Sequence, residues 1–215
     1  MRYFLIILII VLSAASTFAA DRQSQFWTAE KITGKINNQS SFFLQIDHRY
    51  SNDNEELAQQ HSIIGLGYKV NESITISPFY RTVNYRSGQN WLYEHRPSVD
   101  FKIKHTISEI SLSARTRIER RIYPGKDNVW RFREQFEIKS GKKLTRLQIQ
   151  PFIADDIFYQ ENKDGFYRNW LILGFDVKVL KQLKTRLFYQ LQSEEGKDEK
   201  WAQTDILAAQ FGFDF

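Results

Sequence analysis

Apolar and polar residues alternate with a period of two over most of the chain, and a period of 3.6 residues is almost absent. Successive side chains of a β-strand point to opposite faces, so this alternation predicts strands with one oily and one polar face. The alternating segments are 24–36, 39–50, 61–70, 73–85, 91–103, 108–123, 129–139, 143–160, 166–180, 184–193 and 201–215. We therefore expect an all-β protein.

Short and long connections alternate between these segments. The short connections are 37–38, 71–72, 104–106, 140–141 and 181–182. The longer, polar and charged connections are 51–60, 87–90, 124–128, 161–165 and 193–200. Short turns at one end and long loops at the other are typical of outer-membrane β-barrels.

The two faces of each segment differ sharply. From 110 to 122 the even positions are mainly apolar, whereas the odd positions carry Arg115, Arg117, Glu119 and Arg121. The positions that we expect to face lipid include Leu112, Ile118, Phe132, Phe136, Leu173, Phe175, Val177, Phe211 and Phe213. A soluble sandwich is the alternative, but its strands are usually about five or six residues long.

These patterns predict a transmembrane, antiparallel meander β-barrel of about 10–12 strands. Single-chain bacterial barrels have an even strand number, so one of the eleven segments should be wrong or outside the wall. Either segment 24–36 enters the lumen as a plug, or segment 143–160 merges two strands around Pro151.

The last segment resembles the signal that the outer-membrane barrel-assembly machinery reads. Its apolar alternation ends with Phe211, Phe213 and the terminal Phe215. The alternative is a core strand of a periplasmic sandwich. The resemblance implies that this machinery is a partner during biogenesis and that Phe215 lies at the periplasmic edge.

The one continuous apolar run lies at the N-terminus. A basic Arg2, the apolar run 3–12 and the small-x-small site ending at Ala19 predict a secretory signal peptide over 1–19. A signal anchor is the alternative, but the run is too short to span a bilayer. The expected mature domain is 20–215, exported to the outer membrane of a Gram-negative bacterium.

Composition limits the function classes. The chain has no Cys, which excludes disulfides, thiol nucleophiles and Cys-ligated zinc. The net charge of +5 is modest and the basic residues are spread along the chain. We therefore expect no nucleic acid as a partner. The predicted barrel implies outer-membrane lipids as partners.

Several stretches resemble one family of small outer-membrane proteins, the domain-of-unknown-function family 2490. They are 25–28, 65–69, 94–97, 115–121, 130–133, 151–159 and 166–169, in order over most of the mature chain. Asp156 stands where relatives carry Glu, which is a conservative departure. The resemblance implies an outer-membrane barrel and supplies no activity.

Many charged residues lie on the predicted inward face of the strands. Alternation predicts a lumenal charge network of Arg81, Glu94, Arg96, Arg115, Arg117, Glu119, Arg121, Arg131, Arg133, Asp156 and Arg168. A network of this kind can simply be the polar core of a closed barrel, or it can line a constricted channel or pocket for an anionic solute. Arginine outnumbers carboxylate in this set, which favours anions.

Enzyme motifs are missing from the sequence. His48, His61, His95 and His105 form no metal-ligand spacing, and no GxSxG occurs. The adjacent pairs Glu94 with His95 and His61 with Ser62 should face apart. We expect no catalytic residue, metal or cofactor. A lipid-modifying enzyme acting at the rim and a soluble periplasmic ligand-binding protein stay as alternatives to the structural barrel and the narrow anion porin.

Overall fold

The computed structural model describes residues 23–51, 56–145, 148–163, 165–196 and 200–215, so the predicted signal peptide over 1–19 lies outside the described residues. The described residues form eleven strands of 11 to 18 residues. They are β1 (Gln23–Lys35), β2 (Ser40–Ser51), β3 (Glu56–Lys69), β4 (Ile74–Ser87), β5 (Asn90–Ile107), β6 (Ile110–Arg121), β7 (Val129–Ser140), β8 (Gln150–Gln160), β9 (Phe166–Lys178), β10 (Leu183–Glu195) and β11 (Trp201–Asp214).

All eleven strands join one closed barrel in sequence order. Each strand pairs antiparallel with its neighbours in the chain, and the closing pair, β1 with β11, is parallel. The prediction of an antiparallel sheet throughout and of an even strand number is therefore wrong. The two errors have one cause, because an odd number of alternating strands leaves the first and last strand running in the same direction.

Neither predicted remedy for the odd count is correct. Segment 24–36 is not a lumenal plug, because β1 is hydrogen-bonded to β2 on one side and to β11 on the other. Segment 143–160 does not merge two strands, because β8 begins only at Gln150. The part before it forms an isolated bridge between Leu144 and Ile149.

The connections divide the barrel into two ends. The end that carries the connections after β2, β4, β6, β8 and β10 is called the loop end here, and the opposite one the turn end. At the turn end, Asn37 and Asn71 use their side-chain oxygens to accept backbone N–H bonds from residues two and three positions ahead. These Asx turns reverse the chain within a few residues, which is why the turn end is compact.

The strict alternation of the sequence divides the barrel into an outer and an inner face. Large apolar side chains such as Phe136, Leu207 and Phe213 are exposed on the outside. The inside is split: a buried apolar cluster, including Trp27, Phe158 and Trp170, fills the side formed by β1 and β8 to β11. Buried charges fill the side formed by β4 to β8.

Two inward glycines let large neighbours fit. Gly65 lies between Phe43 and Phe79, and Gly174 lies against Phe188 and the carbonyl of Leu187. An added Cβ at either position would overlap these atoms. The Gly-Leu-Gly stretch at 65–67 is therefore a packing feature of an inward-facing strand.

Candidate functional site: the charged lumen

Three fully buried carboxylates organise the loop-end half of the lumen. The first is Glu94 on β5, which is 0% exposed. It accepts hydrogen bonds at 2.6 and 2.7 Å from Arg96, two residues along the same strand face. It also accepts bonds at 2.7 and 3.0 Å from Arg121 on β6, and Arg121 donates further to Gln160 at 2.6 Å. The single negative charge of Glu94 thus neutralises only one of these two guanidinium groups.

Glu119 on β6 repeats this arrangement. It is 0% exposed and accepts a bond of 2.6 Å from Nε of Arg131, its cross-strand neighbour on β7. Its second cation is Arg81, whose Nη1 lies 3.9 Å from Oε1. Because that distance is too long for a hydrogen bond, the interaction between Arg81 and Glu119 is one of charge alone.

Asp156 on β8 is the third of these carboxylates. It is 0% exposed and contacts Arg133 on β7 and Arg115 on β6, with 3.1 Å between Nη2 of Arg115 and Oδ2. Gln135 donates to the same oxygen at 3.2 Å. Each of the three carboxylates therefore serves two arginines, and the loop-end half of the lumen carries surplus positive charge.

In the turn-end half, each arginine that forms an ion pair has an acid of its own or shares two. Asp100 accepts bonds of 2.6 and 2.8 Å from Arg117. Asp176 accepts from Arg186 at 2.6 and 3.0 Å and from Lys139 at 3.1 Å, and Glu137 accepts from Arg186 at 2.9 Å. Two acids thus meet two bases in this last group, although further lysines, including Lys31 and Lys184, also line the turn-end cavity.

The eleven residues proposed for the network all lie on inward strand positions. Arg168 faces Glu194 across β9 and β10, separate from the three carboxylates. Asp100, Glu137, Asp176 and Arg186 are not among the eleven predicted residues, although each has the inward parity of its strand. The alternation of β5, continued from Glu94 and Arg96, also identifies Asp100 as an inward residue.

Arginine side chains are also stacked on the aromatic half of the lumen. The guanidinium of Arg49 lies 3.7 Å from the ring centroid of Trp27, and that of Arg133 lies 4.3 Å from Phe158 and 4.8 Å from Trp170. Such contacts hold a guanidinium in place without neutralising it. The apolar cluster therefore positions positive charge as well as filling space.

The lumen contains three cavities in series. A loop-end cavity of about 520 Å³, a central one of about 420 Å³ and a turn-end one of about 460 Å³ are lined mainly by inward side chains. The loop-end and central cavities meet at Trp27, Arg49, Arg81, Arg133 and Trp170, which line both. We call these five shared side chains the partition of the lumen.

The histidines do not assemble with a nucleophile among the described contacts. His61 faces inward with Nδ1 3.3 Å from Asp47, and His95 faces outward with Nδ1 2.8 Å from the Tyr80 hydroxyl. Glu94 bonds only to inward arginines, so Glu94 and His95 lie on opposite faces. In the described parts of the chain, no three His, Asp or Glu residues cluster as metal ligands.

Asp155 and Asp156 also point in opposite directions. Asp155 accepts a bond of 2.7 Å from Asn169 on the outer face, while Asp156 serves the lumenal arginines. The two carboxylates therefore do not meet at one site.

Within the described ranges, no helix is long and apolar enough to cross a membrane.

The terminal segment closes the barrel. Phe211 and Phe213 point outward on β11. The backbone N–H of Phe215 donates to the carbonyl of Thr33 at 3.1 Å, and Lys35 donates to the carbonyl of Phe215 at 3.0 Å. The last residue is thus part of the parallel seam.

Fold and interior together define a closed eleven-stranded β-barrel with a charge-filled lumen. The chain belongs to the family described as "Protein of unknown function (DUF2490)", whose sequence profile matches residues 24–203. This confirms the family resemblance found in the sequence. No curated protein matches the chain.

Among solved structures, the chain is similar to "Outer-membrane expressed OmpT of Vibrio cholerae". The identity is 8%, and the match covers 79% of this chain and 61% of that chain, so this chain spans about three fifths of its length. The TM-score is 0.41, which is too low to establish a common fold.

Proposed function

We propose that the protein is a small outer-membrane β-barrel whose lumen is closed, or nearly closed, by its own side chains. Membrane insertion is supported by the exposed apolar side chains of the outer face, which a protein in water would bury. Strands of at least 11 residues are long enough to cross a bilayer at a tilt. A charged interior behind an oily exterior is the arrangement expected of such barrels.

The observation that carries the closed lumen is the partition of Trp27, Arg49, Arg81, Arg133 and Trp170 between the first two cavities. An eight-stranded barrel is just filled by its side chains, whereas barrels of sixteen or more strands leave an aqueous channel. Eleven strands lie between these limits. Long arginine side chains, stacked on aromatic rings and tied to buried carboxylates, occupy the additional width.

Outer-membrane lipids and, during biogenesis, the barrel-assembly machinery are the partners in this proposal. Export by a cleaved signal peptide to the outer membrane of a Gram-negative bacterium belongs to the same proposal. The role is non-enzymatic, since its supporting feature is a network of arginines, most of which are bound to carboxylates. Such groups are poor nucleophiles and poor general bases at neutral pH.

A narrow, anion-preferring pore is the second candidate. It is favoured by the surplus of arginine over carboxylate around Glu94, Glu119 and Asp156. A cationic lumen attracts anions and repels cations. The two candidates differ in conductance, so one measurement separates them.

The experiment has two steps. The full-length protein is expressed and fractionated, and the unheated sample is run in SDS gel; a membrane barrel stays with the outer membrane and migrates fast until it is heated. Purified barrel is then added to a planar bilayer. Rare, small or absent current steps support the closed lumen. A large steady current with anion selectivity rejects it in favour of the pore, and recovery in the soluble periplasmic fraction rejects both.

A further inference from the structure

We infer that the loop-end cavity is a binding site for a small soluble oxyanion that carries two or more negative charges on phosphate or carboxylate groups. The inference deepens the proposed closed barrel, because a cavity above a partition can hold a solute without passing it. Its volume of about 520 Å³ lies within the usual range of small-molecule sites.

The wall of this cavity is strongly cationic. Eight Arg or Lys side chains line it, against the two acids Glu194 and Glu195. The carboxylates of Glu94, Glu119 and Asp156 do not line it, because they lie fully buried behind the guanidinium groups that they hold. Even when these three carboxylates are counted, the cations remain in excess by three. The cavity therefore presents donors and positive charge to whatever enters.

Two of the arginines are under-used by the protein itself. Arg81 is only 7% exposed, its nearest carboxylate oxygen is 3.9 Å away, and its Nε has no hydrogen-bond partner among the described residues. Arg49 has no carboxylate within ion-pair distance in the described ranges, and its one side-chain hydrogen bond there, to Gln59, is 3.5 Å long. Burying a guanidinium without a full set of acceptors is costly, so an acceptor supplied from outside would be bound favourably.

The positions of these groups are set in advance. Arg49 is stacked on Trp27, and the Trp27 indole N–H donates to Gln25 at 2.8 Å. Trp27 also meets Trp170 edge to face at 5.6 Å, and the Trp170 indole N–H donates to Gln192 at 2.8 Å. Since the arginine side chains are already ordered, little conformational entropy is lost when an anion binds. Planar guanidinium groups also suit the paired oxygens of phosphate and carboxylate.

Several charges around one cavity select for several charges on the ligand. A monovalent ion such as chloride would satisfy one arginine, whereas pyrophosphate or citrate would contact several at once. Lys163 and Gly196, which line the cavity, belong to connections of the loop end. A soluble anion would enter from that side without crossing the partition.

Isothermal titration of the purified barrel in a non-ionic detergent at low salt tests this inference. The probes are pyrophosphate, citrate, inorganic phosphate and chloride. We expect saturable binding of pyrophosphate and citrate that weakens as salt is added, and at least about tenfold weaker binding of chloride. Each lost charged hydrogen bond should weaken binding by about tenfold, so Arg49→Gln and Arg81→Gln should each do so.

Lys102→Gln is the matched control, because Lys102 lines the central cavity and not the loop-end one. It removes the same charge from the lumen and should leave binding unchanged. Folding of every variant is checked by heat-modifiable migration in SDS gel. If Arg49→Gln does not fold, Arg49→Lys, which keeps the charge and should retain most of the binding, replaces it beside Arg81→Gln.

Three results would overturn the inference. The first is that pyrophosphate and citrate show no saturable binding. The second is that Lys102→Gln weakens their binding as much as the two arginine variants do. The third is that heat is released only when phosphatidylglycerol is added to the micelles. The last result would assign the site to a lipid headgroup. None of them bears on the closed lumen, which is judged separately by conductance.

Discussion

Replacing Glu119 by Gln removes one buried negative charge while keeping the shape of the side chain. Glu119 is fully buried, bonds to Arg131 at 2.6 Å and has Arg81 at 3.9 Å. Arg117 and Arg133 also act on it electrostatically. Four arginines would thus lose the acid that offsets their mutual repulsion. Breaking a buried ion pair on one side costs about 3–5 kcal/mol, and we expect a loss of that size in the free energy of unfolding.

Water or chloride entering the neighbouring cavity would reduce this loss, but it would also open the partition. The assay therefore has two measurements, urea unfolding in detergent followed by tryptophan fluorescence and single-channel current in a planar bilayer. Glu161→Gln is the matched control, because the Glu161 side chain is 56% exposed and lies 3.5 Å from Arg120. An exposed pair of this kind is worth less than about 1 kcal/mol.

A contrary result would be a free energy of unfolding for Glu119→Gln within about 1 kcal/mol of the wild type together with an unchanged conductance. In that case the lumenal charges neither stabilise the barrel nor close it. Destabilisation by Glu161→Gln of the same size would show that the assay does not distinguish buried from exposed charge.

Three further changes test the outer face, the packing and the seam. Leu173→Arg should lower the yield of folded barrel, because an Arg near mid-bilayer costs about 2–4 kcal/mol. Ser77→Arg should be tolerated, because position 77 faces the lumen opposite Asp100. The yield is measured from the fast-migrating band in unheated SDS gel. Gly174→Ala should destabilise the barrel by about 1–3 kcal/mol in urea unfolding, because the added methyl group overlaps neighbouring backbone. Deletion of Phe215 should slow assembly in cells more than Phe215→Ala does, because only the deletion removes both seam hydrogen bonds.

Each of these has a contrary outcome. Equal yields for Leu173→Arg and Ser77→Arg would argue against the membrane assignment. An unchanged midpoint for Gly174→Ala would mean that β9 and β10 can separate at no cost. If Phe215→Ala impaired assembly as strongly as the deletion, the aromatic side chain, and not the seam, would be what matters.

The sequence alone determined the strands and which face each residue takes. Alternation is a local property of an extended backbone, so the opposite directions of Glu94 and His95 follow without any tertiary information. The same local pattern placed the arginine rows of β6 and β7 inside and apolar residues such as Phe136 and Phe213 outside. It also located the turns, because Asn at 37 and 71 acts on backbone groups only two or three residues away.

The tertiary structure decided the partners and the closure. Arg115 and Asp156 are 41 residues apart, and Arg186 and Glu137 are 49 apart, so which acid meets which base depends on the stagger of several strands around the barrel. The parallel pairing of β1 with β11 is made by backbone groups, which are alike in every residue except proline and leave no mark in the sequence. For this reason the number of strands in the wall, the partition across the lumen and the cationic cavity above it could be found only in the closed barrel.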